Sequence, residues 1–238
     1  MLSLLLVIVF SYLVGAFPTA MLVGKHFKGV DPRNHGSRNM GSTNAFRVLG
    51  WKVGMLVQAI DVGKGLIATL LISRLFYAKL PFENITPFTD FTVVQIIAGI
   101  AAISGHVWTI FAGFKGGKGI NTAAGMLVSL APVDATIAIG VFVLVLFSSG
   151  YVSLGSISAA FAVPTVMFLR ENYFNVDITG YNTLVYFTLI VAVFLTYNHR
   201  TNIKRLLYGE ESRFEGWWKI RLIKIKAPFK RKWHRKEK

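Results

Sequence analysis

Cysteine is absent from the chain. Disulfides, thiolate nucleophiles and cysteine-ligated zinc or iron–sulfur centres are therefore excluded. Charge is scarce as well, at 16% of residues, and negative charge scarcer still, with 11 Asp and Glu against 26 Lys and Arg. The charges are bunched in a few segments, not spread along helical faces, while 53% of the residues are hydrophobic. That composition belongs to a membrane protein and not to a soluble core. Of the 26 cations, 14 follow Asn198, so much of the +15 net charge lies in a C-terminal segment. A basic chain invites a nucleic-acid reading. The stretches between the charged blocks are too long and too apolar for a soluble nucleic-acid-binding domain, and none is expected as a partner.

What is present is a series of apolar runs. A membrane helix needs about 20 apolar residues, and stretches at about 2–24, 53–76, 92–112, 152–169 and 181–197 qualify, the last slightly short. The first carries no Lys or Arg before Lys25 and exceeds the roughly 7–15 residues of a signal-peptide core, so it reads as a retained helix. Its Ser11, Gly15 and Pro18 suit a helix–helix contact face. The region 120–149 is apolar but interrupted by Ala131-Pro132-Val133-Asp134, which admits one kinked helix or two short ones.

Charge chooses between these, because short cytoplasmic loops collect Lys and Arg. The loop 25–52 holds Lys25, Lys28, Arg33, Arg38, Arg47 and Lys52 against Asp31 alone. The connections 77–91 and 170–180 are balanced or acidic and belong outside. With the N-terminus outside, segment 113–119 falls inside, and so must the basic C-terminus. An even number of spans then lies between them, which requires a short helical hairpin turning at Pro132. The expected fold is an all-α integral membrane protein with seven transmembrane helices and a cytoplasmic C-terminus. The hairpin helices, of about 12–16 residues, are short for a core of ~30 Å. Segments 25–52, 113–122, 148–156 and 198–211 then share the cytoplasmic face.

Those segments carry the chemistry. Gly36-Ser37-Arg38-Asn39-Met40-Gly41-Ser42-Thr43-Asn44-Ala45-Phe46-Arg47 can aim backbone N–H groups, short polar side chains and a bidentate cation at phosphate oxygens. It can equally be a turn before a helix capped by Ser42 or Thr43. Gly113-Phe114-Lys115-Gly116-Gly117-Lys118-Gly119 opens the next helix, whose first N–H groups lack internal partners, and so suits an anion cradle with Thr122 adding a hydroxyl. Its spacing is not that of a nucleotide P-loop. Asp61 and Lys64, three apart within a span, can pair with each other, or Lys64 can serve the site. His106 is either a hydrogen-bonded packing residue or a site residue; Ser153 and Ser156 face a neighbouring helix or the site. His199 and Asn202 share a helical face, and Gly209 reads as a C-cap. His26 and Asp31 match a His-x4-Asp pair used by another acyltransferase class, but the residues that surround that pair are missing. No carboxylate or imidazole cluster asks for a metal.

Taken in order, the motifs resemble the bacterial membrane-integral acyl-phosphate:glycerol-3-phosphate acyltransferases. The likeness spans about 1–211: Gly-Ser-x-Asn-x-Gly-Ser-Thr-Asn-x-x-Arg at 36–47, Asp-x-x-Lys-Gly at 61–65, Gly-His at 105–106, Phe-Lys-Gly-Gly-Lys-Gly at 114–119, Ser-Leu-x-Ser at 153–156 and His-Arg-x-Asn-Ile-x-Arg-Leu-x-x-Gly-x-Glu at 199–211. The resemblance implies transfer of a fatty acyl group from acyl phosphate to glycerol 3-phosphate, giving lysophosphatidic acid and phosphate in phospholipid synthesis. It implies no cofactor, a multi-pass place in the bacterial cell (inner) membrane and an active site facing the cytoplasm. Expected partners are acyl phosphate, glycerol 3-phosphate, a bilayer with anionic lipids and the soluble enzyme that makes acyl phosphate. Catalytic roles fall to Lys118, Arg47, Ser37, Ser156, His199 and Asn202. Substrate and phosphate contacts fall to Asn39, Thr43, Asn44, His106, Gly116, Gly117, Gly119, Lys64 and Glu211. The hydroxyl proton goes either to His199 or to a phosphate oxygen of acyl phosphate.

Residues 212–238 extend beyond that pattern, with Trp217, Trp218, Ile220, Leu222, Ile223, Ile225, Phe229 and Trp233 set among Lys and Arg. Such interleaving suits a cytoplasmic tail on an anionic leaflet or a disordered basic tail. A rival from another class is a transporter or channel for organic phosphates. The chain shows no internal repeat, and its polar groups gather at one face instead of the midplane.

Overall fold

In the computed structural model, residues 1–214 are described, so most of the basic tail expected at 212–238 lies outside the described residues. Among the described residues there is no strand. The chain runs α1 (Leu2–Ala16), α2 (Thr19–Lys28), α3 (Ser42–Leu49), α4 (Trp51–Leu66), then a π-helical stretch (Ile67–Ile72) into α5 (Ser73–Leu75). It continues through α6 (Asp90–Val107), α7 (Ile120–Leu130), α8 (Pro132–Ser149), α9 (Val152–Asn172), α10 (Tyr181–Asn198) and α11 (Arg200–Tyr208). Among the described residues six helical stretches are long and apolar enough to cross a membrane: 2–28, 51–75, 90–112, 132–149, 152–172 and 181–198. The protein is a multi-pass membrane protein. Its outward-facing side chains are apolar where lipid demands it, as at Leu144 on α8 and Ile190 on α10.

The first span departs from the single helix expected at 2–24. Pro18 has no N–H to continue the ladder and its ring crowds the preceding turn, so α1 ends at Ala16 and α2 begins at Thr19. The carbonyls released by the break find partners on other helices, as they must in an apolar setting. Ala16 O accepts the Thr109 hydroxyl, and Phe17 O accepts Lys64 Nζ at 2.5 Å. Ser11 and Gly15 do face a neighbouring helix, both buried, whereas Pro18 marks the break itself.

The region 120–149 breaks at Ala131, which leaves helical geometry (φ −142°, ψ 68°), with Pro132 at the first position of α8. The two helices differ from the expected 12–16 residues: α7 has 11 and α8 has 18. At 1.5 Å per residue α7 reaches only about half the apolar thickness.

Packing brings α1 along α6, α4 along α7, and α8 along α9, with α10 against α9 and α3 against α4. The α4–α7 contact is backbone against backbone. A Cβ on Gly65 would lie 2.0 Å from Thr122 O, and one on Gly125 would lie 2.1 Å from Val62 O, so only glycine permits the approach. That fixes the start of α7, and with it the glycine loop, against the polar C-terminal part of α4.

Candidate functional site

The four polar segments meet at one end of the bundle. Asn121 Nδ2 donates to Ser42 Oγ at 2.9 Å, Asn198 Nδ2 to Lys118 O at 3.3 Å, and Ser153 Oγ to Glu211 at 2.9 Å. Asn121 and Asn198 were not among the expected site residues, and Ser153, open between a neighbouring helix and the site, bonds to Glu211.

At the centre is the loop before α7. Gly119 caps the helix at φ 87°, a left-handed turn that glycine adopts without strain. The first intrahelical bond runs from Ala123 N to Gly119 O, so the preceding N–H groups are free of helical partners, and Lys118 stands beside them. Gly116 and Gly117 are tied to α6 through bonds to Val107 O and His106 O, each at 3.0 Å. Thr122 is turned away: its buried hydroxyl donates to Asp61 O at 3.2 Å.

Lys118 Nζ donates to Asn202 Oδ1, and Asn202 Nδ2 donates to Glu211 Oε1 at 2.7 Å. Glu211 Oε2 lies 3.0 Å from Arg205 Nε. Glu211 is thus the carboxylate of the last motif that enters the site; its side chain is buried while Glu210 is exposed. Because Glu211 takes the amide N–H of Asn202, the amide oxygen is left to face Lys118. Arg205, which was not among the expected site residues, is the partner of Glu211. The i, i+6 spacing to Glu211 across a Gly209 C-cap was the available signal.

Arg47, exposed on α3, reaches across to Ser212 O at 3.0 Å. Residues 212–214 continue over the site: Phe214 N donates to Gly150 O at 2.8 Å and the Phe214 ring meets Phe46 edge-on at 5.8 Å. The α3 start is capped by Gly41, not by the side chain of Ser42 or Thr43. Asn44 organises the loop before it, accepting Ser37 N at 2.8 Å and donating to Pro32 O, His35 O and Asn39 O. Asn39 Oδ1 in turn accepts Gly41 N at 2.8 Å. Asn44 and Asn39 therefore shape the loop, with Ser37 half-buried on its rim and Thr43 in the first turn of α3. Ser156 is buried and its hydroxyl donates to Val152 O, within its own helix. Asp31 is paired with Arg33 at 2.7 Å, which holds its carboxyl below the usual range, so it makes no dyad with His26.

Cations outnumber anions here, and the electrostatics follow. Burial lowers Lys118 to about 8; Glu211 opposes the fall, while Arg205 and Arg47 deepen it. Burial, reinforced by Lys118, drops His199 to about 4. The imidazole is therefore neutral at pH 7. Its Nδ1 lies 2.8 Å from Leu195 O, and a carbonyl only accepts, so Nδ1 carries the hydrogen and Nε2 keeps a lone pair.

Lys64 and His106 belong to a second cluster. Lys64 Nζ is 2.7 Å from Asp61 Oδ1, Thr19 Oγ1 donates to the same oxygen at 2.9 Å, and His106 Nδ1 lies 3.8 Å from it. All four residues are buried. Among the described residues no group of three or more His, Asp or Glu could hold a metal ion.

A family model, glycerol-3-phosphate acyltransferase, matches residues 5–209. The chain is 46% identical over 230 residues to a glycerol-3-phosphate acyltransferase of Chlorobaculum tepidum, covering 90% of this chain and 97% of the relative. It is 43% identical to one of Chlorobium phaeobacteroides, covering 90% and 98%. Among solved structures it resembles PlsY, an integral membrane glycerol 3-phosphate acyltransferase, in its glycerol 3-phosphate form. There the TM-score is 0.73 at 33% identity, over 89% of this chain and 96% of that one. The lysophosphatidic acid form gives a TM-score of 0.72.

Proposed function

This chain belongs to the glycerol-3-phosphate acyltransferase family, and from that premise we propose that it transfers a fatty acyl group from acyl phosphate to glycerol 3-phosphate, yielding lysophosphatidic acid and phosphate. The observation that carries this reading is the gathering of Lys118, Arg47 and Arg205 around one carboxylate, Glu211, beside the open start of α7. Such a site has cationic capacity for two phosphates. The rest of the bundle is lined outward by apolar side chains, against which an acyl chain can lie while the heads meet at the interface.

The hydroxyl oxygen of glycerol 3-phosphate attacks the acyl carbonyl, the carbonyl C–O bond to phosphate breaks, and inorganic phosphate leaves. Lys118 and the N–H groups at the open start of α7 are placed to stabilise the oxyanion and the departing phosphate. Acyl phosphate brings its own good leaving group, so positioning supplies much of the rate. His199, held at about 4, is a weak acceptor for a hydroxyl proton, but its Nε2 can take a hydrogen bond from that hydroxyl and orient it. The proton then passes to a phosphate oxygen of the donor. Asn202 keeps Lys118 in place, Arg47 serves a phosphate, Asn39 and Asn44 shape the first loop, Ser37 lies on it with Thr43 in the first turn of α3, and Ser156 stands on α9 one turn from Ser153. Seven crossings, with α7 and α8 as the hairpin, put the N-terminus outside and this site on the cytoplasmic face of a bacterial inner membrane. The basic loop 25–52 supports that orientation.

Purified protein in detergent, given acyl phosphate and glycerol 3-phosphate, is expected to release phosphate and form lysophosphatidate. Turnover with acyl-CoA alone would overturn the donor assignment. His199→Ala is expected to raise KM for glycerol 3-phosphate with kcat near normal; a collapse of kcat at unchanged KM would make His199 the base.

A further inference from the structure

The glycine loop rests on a buried group that the chemistry above does not use. Gly117 lies flat against the imidazole of His106: a Cβ built on Gly117 would fall 2.0 Å from His106 Nε2. The main chain of the same residue pair is joined by Gly117 N to His106 O at 3.0 Å. The other ring nitrogen, Nδ1, faces Asp61 Oδ1 at 3.8 Å. Asp61 is fixed from three sides, by Lys64 at 2.7 Å, by Thr19 at 2.9 Å, and through its carbonyl by Thr122 of α7 at 3.2 Å. Lys64 is in turn tied to Phe17 O at the α1–α2 break. The second carboxylate oxygen of Asp61, Oδ2, is buried without a protein hydrogen-bond partner. Asp61, Lys64, His106, Thr109 and Gly117 together line a small cavity.

We propose that His106, buried beside Asp61, is a positioning residue: its ring is the wall that sets where Gly117, and hence Lys118, stands. The inference rests on the acyltransferase reading only for its kinetic readout. A buried ion pair in an apolar bundle is expensive to assemble and is retained where it fixes one arrangement. Here the arrangement it fixes is the register of the anion loop against α6. A side chain at 117 has nowhere to go while the ring is present, and room once the ring is removed. This reciprocal relation is specific to a direct contact.

A double-mutant cycle on the full-length protein tests it. Gly117→Ala alone is expected to raise KM for glycerol 3-phosphate about tenfold or more, with a smaller change in kcat, since a small misplacement of a binding group has effects of that order. In the His106→Ala background the same substitution is expected to cost little, so that the double variant binds better than Gly117→Ala alone. An equal cost of Gly117→Ala in both backgrounds would overturn the proposal. If His106→Ala does not give a monodisperse protein, His106→Asn replaces it in the cycle, keeping a polar atom near Asp61 and lacking the Nε2 edge. Protection against thermal unfolding by inorganic phosphate, measured on the same four proteins, reads the loop without turnover. Absence of turnover in the unmodified protein counts against the acyltransferase reading. Additive losses of phosphate protection count against His106 as the wall.

Discussion

Two charged clusters lie on either side of the glycine loop, and they differ in balance and in access. Around Asp61, one carboxylate oxygen is matched by Lys64, Thr19 and the His106 edge, all of them buried. Around Lys118, three cations share one carboxylate; Arg47 is exposed and meets a main-chain carbonyl, Ser212 O, while Lys118 meets the neutral amide of Asn202. The first cluster is balanced in charge, Asp61 against Lys64, and so offers no net charge to an anion, although Asp61 Oδ2 has no protein hydrogen-bond partner. The second is left with positive charge and free N–H groups, which an anion can complete. The difference separates a structural pair from a binding site more surely than residue type does, since each contains a lysine beside a carboxylate.

On that division, the largest loss of activity is expected from the open cluster. Lys118→Ala is expected to lower kcat/KM by about two to three orders of magnitude, the range of a lost oxyanion donor, with thermal stability nearly unchanged. Steady-state assay with a melting curve on the same preparation checks both halves. The closed cluster should behave oppositely. Lys64→Met strands the Asp61 carboxylate, and breaking a buried pair costs about 3–5 kcal/mol. Asp61→Asn with Lys64→Met together should recover most of the melting temperature. A Lys64→Met protein with normal melting and lost phosphate affinity would move Lys64 into the open cluster.

Titration sharpens the same contrast. The Lys118 ammonium loses its proton as pH rises through about 8, so kcat/KM, which reports the free enzyme, is expected to fall on the alkaline side near that value. Glu211 holds the ammonium charged against Arg205 and Arg47, with neutral His199 beside it. Glu211→Gln should therefore shift the alkaline fall to lower pH, and a profile that does not move would remove Glu211 from the electrostatics of Lys118.

Much of this was legible in the chain, and what was not has a physical cause. Period and length located the apolar runs, and charge asymmetry required a break near Pro132, which Ala131 supplies by leaving helical geometry. The break at Pro18 was misplaced onto a contact face, because a proline's effect depends on whether other helices can take the carbonyls it frees. Thr109 and Lys64 do so, and they are far away in sequence. The pairing of Asp61 with Lys64 followed from an i, i+3 spacing, but the approach of His106 depends on how α4 packs against α6. Ser42 and Thr43 looked like caps; Gly41 took that place, and Ser42 turned instead to Asn121 on α7. Local spacing thus foresaw contacts within a helix and missed those between helices.

The smallest expected effect concerns the strap of residues 212–214, which ties the open cluster down. Arg47 gives one N–H to Ser212 O and keeps the rest of its fork for a phosphate, so the carbonyl orients the guanidinium without neutralising it. The strap itself is held by one main-chain bond to Gly150, by Arg213 Nε donating to Tyr151 Oη at 3.3 Å, and by the edge-on packing of Phe214 on Phe46. Removing the ring in Phe214→Ala forfeits an aromatic contact of about 1 kcal/mol, which converts to about fivefold. KM for the phosphate substrate that Arg47 holds is therefore expected to rise about fivefold or less, with kcat preserved, because Lys118 and Asn202 are anchored independently through Glu211. A fall in KM instead would mean that Ser212 competes with substrate for Arg47. The open cluster would then be closed by its own chain until a phosphate displaces the strap.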